Sequence, residues 1–231
     1  MLALLHTSPV HPPVFDALRD RDHPGVELRH LVHEDLLERA VAEGPDAVAG
    51  DMAEVVERAV ADGARAVLCT CSTIGAAAEA GAARHGVPVL RVDRPMAAEA
   101  AARGRVVVLA ALESTLAPTE ALIREEAAGR PLELRSVLVP GAWELFLAGN
   151  TDGYLDAVAR AADAVTDAGV IALAQVSMAP AALRTSTAVP VLSSPRPGLR
   201  AAVAACAGPG GRPGRSGGRV ETQHPGTGRT R

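Results

Sequence analysis

Cys71 is the side chain in this sequence best placed to do chemistry. It lies in the run Ala66-Val67-Leu68-Cys69-Thr70-Cys71-Ser72-Thr73, in which an apolar stretch that reads as a buried strand gives way to a polar cluster, and an Ala-rich helical segment follows. A thiol on such a strand-to-helix turn lies beside the unpaired N–H groups of the first helical turn. Together with Ser72 and Thr73, those donors could hold an anion or favour a thiolate. Three more polar clusters follow apolar runs: His6-Thr7-Ser8, Glu113-Ser114-Thr115 and Gln175-Val176-Ser177. His6 could reach a cleft from the end of its strand, and an imidazole changes charge near neutral pH, so it is the candidate second acid or base beside Cys71. Glu113 stands at nearly the matching place in the second half and could equally cap a helix. Cys69, two residues before Cys71, reads as buried packing, and Cys206 lies far along the chain, near the tail.

The clusters recur because the chain repeats itself at a shift of about 105 residues. Leu4-Leu5-His6-Thr7-Ser8 matches Ala111-Leu112-Glu113-Ser114-Thr115, and a helix over 51–62 matches one over 156–167. Leu68-Cys69-Thr70-Cys71-Ser72 falls opposite Leu173-Ala174-Gln175-Val176-Ser177, which sets Val176 against Cys71. Val87-Pro88-Val89-Leu90 returns as Val189-Pro190-Val191-Leu192, each followed shortly by Arg-Pro.

Each copy reads as strand, helix, strand, helices, strand, helix, strand. Strands are expected near 2–6, 26–32, 65–69 and 87–91, then near 105–111, 132–138, 170–174 and 189–192. They are apolar without strict alternation, as in parallel sheets covered by helices on both faces. The expected fold is therefore α/β, with two pseudo-symmetric parallel-sheet lobes of the three-layer, flavodoxin-like kind over residues 1–97 and 98–207. In such sheets ligands sit beyond the carboxyl ends of the strands. All four clusters fall there, around one cleft between the lobes. From residue 208 the composition turns to Gly, Pro and Arg, which cannot bury a core, and 208–231 is expected to be a disordered tail.

Composition excludes several classes. A net charge of −4 offers no general attraction to nucleic acid, and no apolar run approaches the roughly 18 residues of a membrane span. Met1–Leu5 is too short for a signal peptide, and three cysteines do not make a disulfide framework, so a cytoplasmic protein with reduced thiols is expected. All 23 basic residues are arginine. Without lysine there can be neither a pyridoxal phosphate Schiff base nor a Walker-type phosphate site. No glycine fingerprint follows the first strand, and His23, His85 and His224 are scattered, which argues against dinucleotide and zinc sites. His30 and His33 straddle a strand and a helix start, where Glu34 and Asp35 suit the first turn. Trp143 and Phe146, at helical spacing, read as core, while Asp93 and Arg94 could support the lobe junction.

Over residues 1 to about 200 these features resemble the aspartate/glutamate/hydantoin racemase superfamily. Cys71-Ser72-Thr73 after a strand is similar to that family's first Cys-Asn-Thr motif, and His6-Thr7-Ser8, Asp93-Arg94-Pro95-Met96 and Pro118-Thr119 follow in the family's order. The resemblance implies two like α/β lobes, no cofactor and a small-molecule carboxylate substrate; a homo-oligomer is allowed but not demanded. It also implies that Cys71 acts as acid/base or nucleophile. Thr7, Ser8, Ser72, Thr73, Ser114 and Thr115 would hold the carboxylate, with Gln175 and Ser177 completing the substrate contacts from the second lobe. In the family's racemases two thiols face opposite sides of the α-carbon, one removing a proton and the other returning one. Here the expected second position carries Val176, which cannot move a proton. The expected function is thus a cofactor-independent isomerase whose second acid is His6. Single-thiol chemistry of the arylmalonate decarboxylase or maleate isomerase kind, or a non-catalytic binder of small acids, are the alternatives.

Overall fold

The computed structural model describes residues 1–208; the expected disordered tail lies, but for its first residue, outside the described residues. In the first half β1 (Leu2–His6), α1 (His11–Asp22), β2 (Leu28–Val32), α2 (Glu34–Glu43), α3 (Ala49–Ala61), β3 (Ala66–Cys69), α4 (Ser72–Ala80) and β4 (Val89–Arg91) follow one another. After α5 (Arg94–Ala102) the order returns. It runs through β5 (Arg105–Ala110), α6 (Leu116–Ala127), β6 (Glu133–Leu138), α7 (Ala142–Leu147), α8 (Thr151–Asp163), β7 (Val170–Leu173), a 3-10 helix over Val176–Leu183, β8 (Val191–Ser193) and α9 (Pro195–Ala207). Both sheets are four-stranded and parallel, ordered β2-β1-β3-β4 and β6-β5-β7-β8. The expected α/β architecture of two like lobes is present, with every strand within a few residues of its expected place.

Burial explains the unbroken apolar runs. In β1, Ala3 and Leu5 pack under α2 and α3, whereas Leu2 and Leu4 pack on the other face against Phe15, Leu199 and Ala202. Both faces are dry, so neither needs polar residues. The edge strands β2 and β6 carry Arg29, His30, Arg135 and Ser136 and are only partly covered.

The lobes exchange helices. Met96, Ala97 and Ala100 of α5 pack on Val106, Val108 and Ala172 of the second sheet. Leu199 and Ala202 of α9, the last helix, cover the first sheet. Gly198 is what lets α9 come so close, because a Cβ there would lie 2.4 Å from the carbonyl oxygen of Val92. The boundary at residue 97 therefore cuts through α5, and the first lobe needs residues 195–207. The sequence order of the elements hides this, since a helix can cover whichever apolar sheet face lies nearest.

Polar contacts fasten the same junction. The Arg94 guanidinium bonds Glu79 on α4 at 2.5 and 2.9 Å and reaches Glu125 and Glu126 on α6. Beneath it Arg91 and Asp93 form a buried, two-bond pair at 2.7 and 2.9 Å. Gly75 makes room for it, since a Cβ there would lie 3.0 Å from the Arg91 Nε. No helix among the described residues is long and apolar enough to cross a membrane.

Candidate active site

Parallel pairing brings the carboxyl ends of β1 and β3 to face those of β5 and β7, and a cleft of about 430 Å³, open mouth included, lies between them. The first lobe supplies Thr7, Ser8 and His11 after β1, and Thr70, Cys71, Ser72 and Thr73 after β3. The second supplies Leu112 and Thr115 after β5, Trp143 and Phe146 from α7, and Gln175, Val176 and Ser177 after β7. Of the ten residues expected at the site, eight line this one space. His6 and Ser114 do not.

Cys71 caps α4 with extended backbone (φ −105°, ψ 118°), is 8% exposed and lies on the cleft wall. The first-turn N–H groups of α4 therefore start beside its sulfur. Cys69 is wholly buried; its thiol donates to the Cys71 carbonyl at 3.6 Å, and burial, with Cys71 nearby, pushes its pKa well up. Cys206 sits on α9 against the Met1 carbonyl.

The mirror position of Cys71 is Gln175, not Val176. The Thr70 N–H bonds the Leu5 carbonyl as the Ala174 N–H bonds the Leu109 carbonyl, and Leu5 pairs with Cys69 as Leu109 pairs with Leu173. One residue further on, Cys71 and Gln175 each cap the following helix in extended conformation. The register by letters was one residue off because Leu173 aligns as readily with Leu68 as with Cys69. The Gln175 Oε1 accepts from the Ala111 and Leu112 N–H groups at 2.7 and 3.0 Å, so its carboxamide is tied to the β5 turn. Val176 is buried instead, packing on the core of the first lobe.

Two hydroxyls have structural partners. Ser72 Oγ donates across the lobes to the Ala174 carbonyl at 2.9 Å, and Ser177 Oγ lies 2.8 Å from the Tyr154 hydroxyl. Thr7, Ser8, Thr73 and Thr115 remain on the wall. Ser114 Oγ is buried without a partner away from the cleft, because the short 3-10 helix Glu113–Thr115 turns Thr115 inward in its place.

His6 is fully buried beneath the cleft. Thr70 Oγ donates to the Leu5 carbonyl at 3.1 Å, His6 Nδ1 lies 2.9 Å from Thr70 Oγ, and His6 Nε2 lies 2.8 Å from His30 Nδ1. Burial above all, then His11 and His30, lowers its pKa to about 3. A neutral ring held on both nitrogens orients Thr70 and does not meet a ligand, so the expectation that His6 is the second acid or base is corrected.

His11 is the histidine the cleft contains, and sequence reading passed it over. It is 8% exposed, burial lowers its pKa to about 4, and its Nδ1 lacks a partner. The signal was Pro12-Pro13, which starts α1 at His11 and so puts that ring on the rim of the sheet. Trp143 and Phe146, expected in the core, stack at 4.9 Å on the cleft wall.

No family model matches the sequence, and no curated protein does. Solved structures do. A glutamate racemase from Bacillus anthracis superposes with a TM-score of 0.69 at 17% identity, covering 88% of this chain and 80% of that one. The allantoin racemase from Klebsiella pneumoniae gives 0.61 at 16%, covering 88% and 86%. Unliganded arylmalonate decarboxylase gives 0.56 at 21%, covering 92% and 95%. The chain has the fold of these proteins.

Proposed function

We propose that this protein is a cofactor-independent enzyme that moves a proton at the α-carbon of a small carboxylate, with Cys71 as the acid/base thiol. The observation that carries this reading is the position of Cys71: of the three cysteines it alone lies on the wall of the interlobe cleft, at a helix N-terminus and beside Thr7, Ser8 and Thr73. Hydroxyls and backbone N–H groups around it suit a carboxylate and the negative charge that grows as the α-proton leaves. Fold likeness to racemases adds support.

Racemisation or epimerisation needs a second group on the far side of the α-carbon. His11, neutral and at the cleft, takes that part: its imidazole removes the proton and the Cys71 thiol delivers one to the other face, with the reverse reaction running from imidazolium and thiolate. Gln175 at the mirror position of Cys71 favours a second reading, in which one thiol protonates an enolate left by loss of carbon dioxide. NMR in heavy water on a panel of amino acids, hydantoins and substituted malonates tests both. Deuterium entering the α-position without carbon dioxide release identifies the isomerase, and release of carbon dioxide identifies the lyase. Exchange that persists in Cys71→Ala refutes both.

A further inference from the structure

A second cavity, about 540 Å³ with its open side, adjoins the thiol cleft between the start of α1 and the face made by α8 and the 3-10 helix. His11, Phe146, Val176 and Ser177 belong to both walls, so single side chains separate the two spaces. Beyond them Val10, Val14, Leu155 and Pro180 make the groove apolar, and Val10 is 47% exposed without any described residue covering it.

The sequence contains four aromatic residues, and three of them gather at this junction. Trp143 stacks on Phe146 at 4.9 Å, and Phe146 tilts against Tyr154 at 5.3 Å. Tyr154 belongs to the core of the second lobe, and Trp143 and Phe146, partly buried against it, carry that aromatic packing out to the cleft wall. Charge is distributed in the opposite way. Neither wall contains Arg, Asp or Glu, and the arginines nearest the lobe junction, Arg91 and Arg94, are already paired with Asp93 and with Glu79, Glu125 and Glu126. A ligand carboxylate at Cys71 can be held by N–H and hydroxyl groups, but a second carboxylate on the ligand's side chain would be desolvated with no arginine among the described residues of either wall to pair it.

We propose that the site takes acids whose α-substituent is apolar, aryl or branched alkyl, with that substituent lodged in the groove, and that it rejects acids with a charged side chain such as aspartate and glutamate. This rests on Cys71 marking the carboxylate end of the site, as in the function proposed above. The 209–231 segment, rich in Gly, Pro and Arg, has no apolar run to fill the groove in the ligand's place.

The test is protection of Cys71 in the full chain from iodoacetamide by phenylacetate, acetate and succinate, read as adducts by peptide mass spectrometry. Burial of one ring predicts that phenylacetate protects at a concentration at least about tenfold below acetate or succinate. Val14→Asp, on the groove wall alone, should abolish that advantage and leave protection by acetate as it was. Val14→Arg should shift the preference toward succinate. Succinate protecting as well as phenylacetate, or a phenylacetate advantage untouched by Val14→Asp, overturns the inference while leaving Cys71 as the acid-binding thiol. Protection by none of the three overturns it too. Phenylacetate protection without α-deuteration of any acid upholds the groove and refutes the catalytic reading instead.

Discussion

Cys71 and Gln175 occupy the same backbone position in the two lobes, yet only Cys71 can exchange a proton, and the Gln175 carboxamide is spent on the N–H groups of Ala111 and Leu112. The pseudo-symmetry that built the cleft has therefore left it chemically one-sided. A Gln175→Cys variant restores a second thiol across the cleft. Under the single-thiol reading it should exchange the α-hydrogen of both enantiomers of a substrate at similar rates, where the parent exchanges only one. Under the isomerase reading His11 already serves the second face, and the parent itself exchanges both. The substitution also strips two part-buried N–H groups of their acceptor, so a loss of about 1–3 kcal/mol in denaturant unfolding is expected.

Thiol reactivity should separate the three cysteines. Cys69 is enclosed and its thiol is pushed toward the protonated form by burial, while the Cys206 thiol, also raised by burial, faces the Met1 carbonyl on the far side of the first sheet. A cleft ligand should therefore block alkylation at Cys71 and leave that at Cys206 unchanged, as mass spectrometry of the labelled peptides can check. Cys69→Ala should retain α-proton exchange and Cys71→Ala should lose it. The reverse pattern would move the chemistry off the proposed thiol.

Much of this was legible in the sequence because repetition is visible in letters. Each apolar run followed by a polar cluster is a strand ending at the rim of a parallel sheet, and Cys71 stood out because a thiol at such a rim is unusual. Three things were not legible. The register between the halves depended on one residue, and only the paired hydrogen bonds of Thr70 and Ala174 resolve it to Gln175. Which sheet α5 and α9 cover depends on three-dimensional proximity, which an apolar helix face does not encode. His6 and His11 differ only in that the strand's last residue points under the cleft and the helix's first points into it.

Stability should fall as the medium turns acidic, and the two buried histidines give the sign. In the unfolded chain their pKa is about 6.5. Folding lowers His6 to about 3 and His11 to about 4, chiefly by burial. From pH 6.5 down to about 4 the unfolded chain gains protons that the folded one refuses, so each ring lowers stability by up to about 1.4 kcal/mol per pH unit. The loss levels off below those folded values. Urea midpoints between pH 7 and 4.5 measure it, and His11→Leu should remove about half of the slope; an unchanged slope would mean that His11 opens to water and titrates normally.

The exchange of helices between lobes makes the last prediction. Leu199 is 1% exposed and closes the face of the first sheet made by Leu2, Leu4, Ala66 and Leu68, although it lies near the other end of the chain. Leu199→Ala removes that packing and leaves a cavity, at a cost of about 2–5 kcal/mol. A chain ending at residue 194 loses α9 altogether and uncovers the same face, so it should not give a cooperative unfolding transition. Because Ser72 in the first lobe bonds Ala174 in the second, the damage should not stay local. Hydrogen exchange of the β3 and β7 amides should quicken together in Leu199→Ala, whereas lobes that fold independently would show faster exchange in β3 alone.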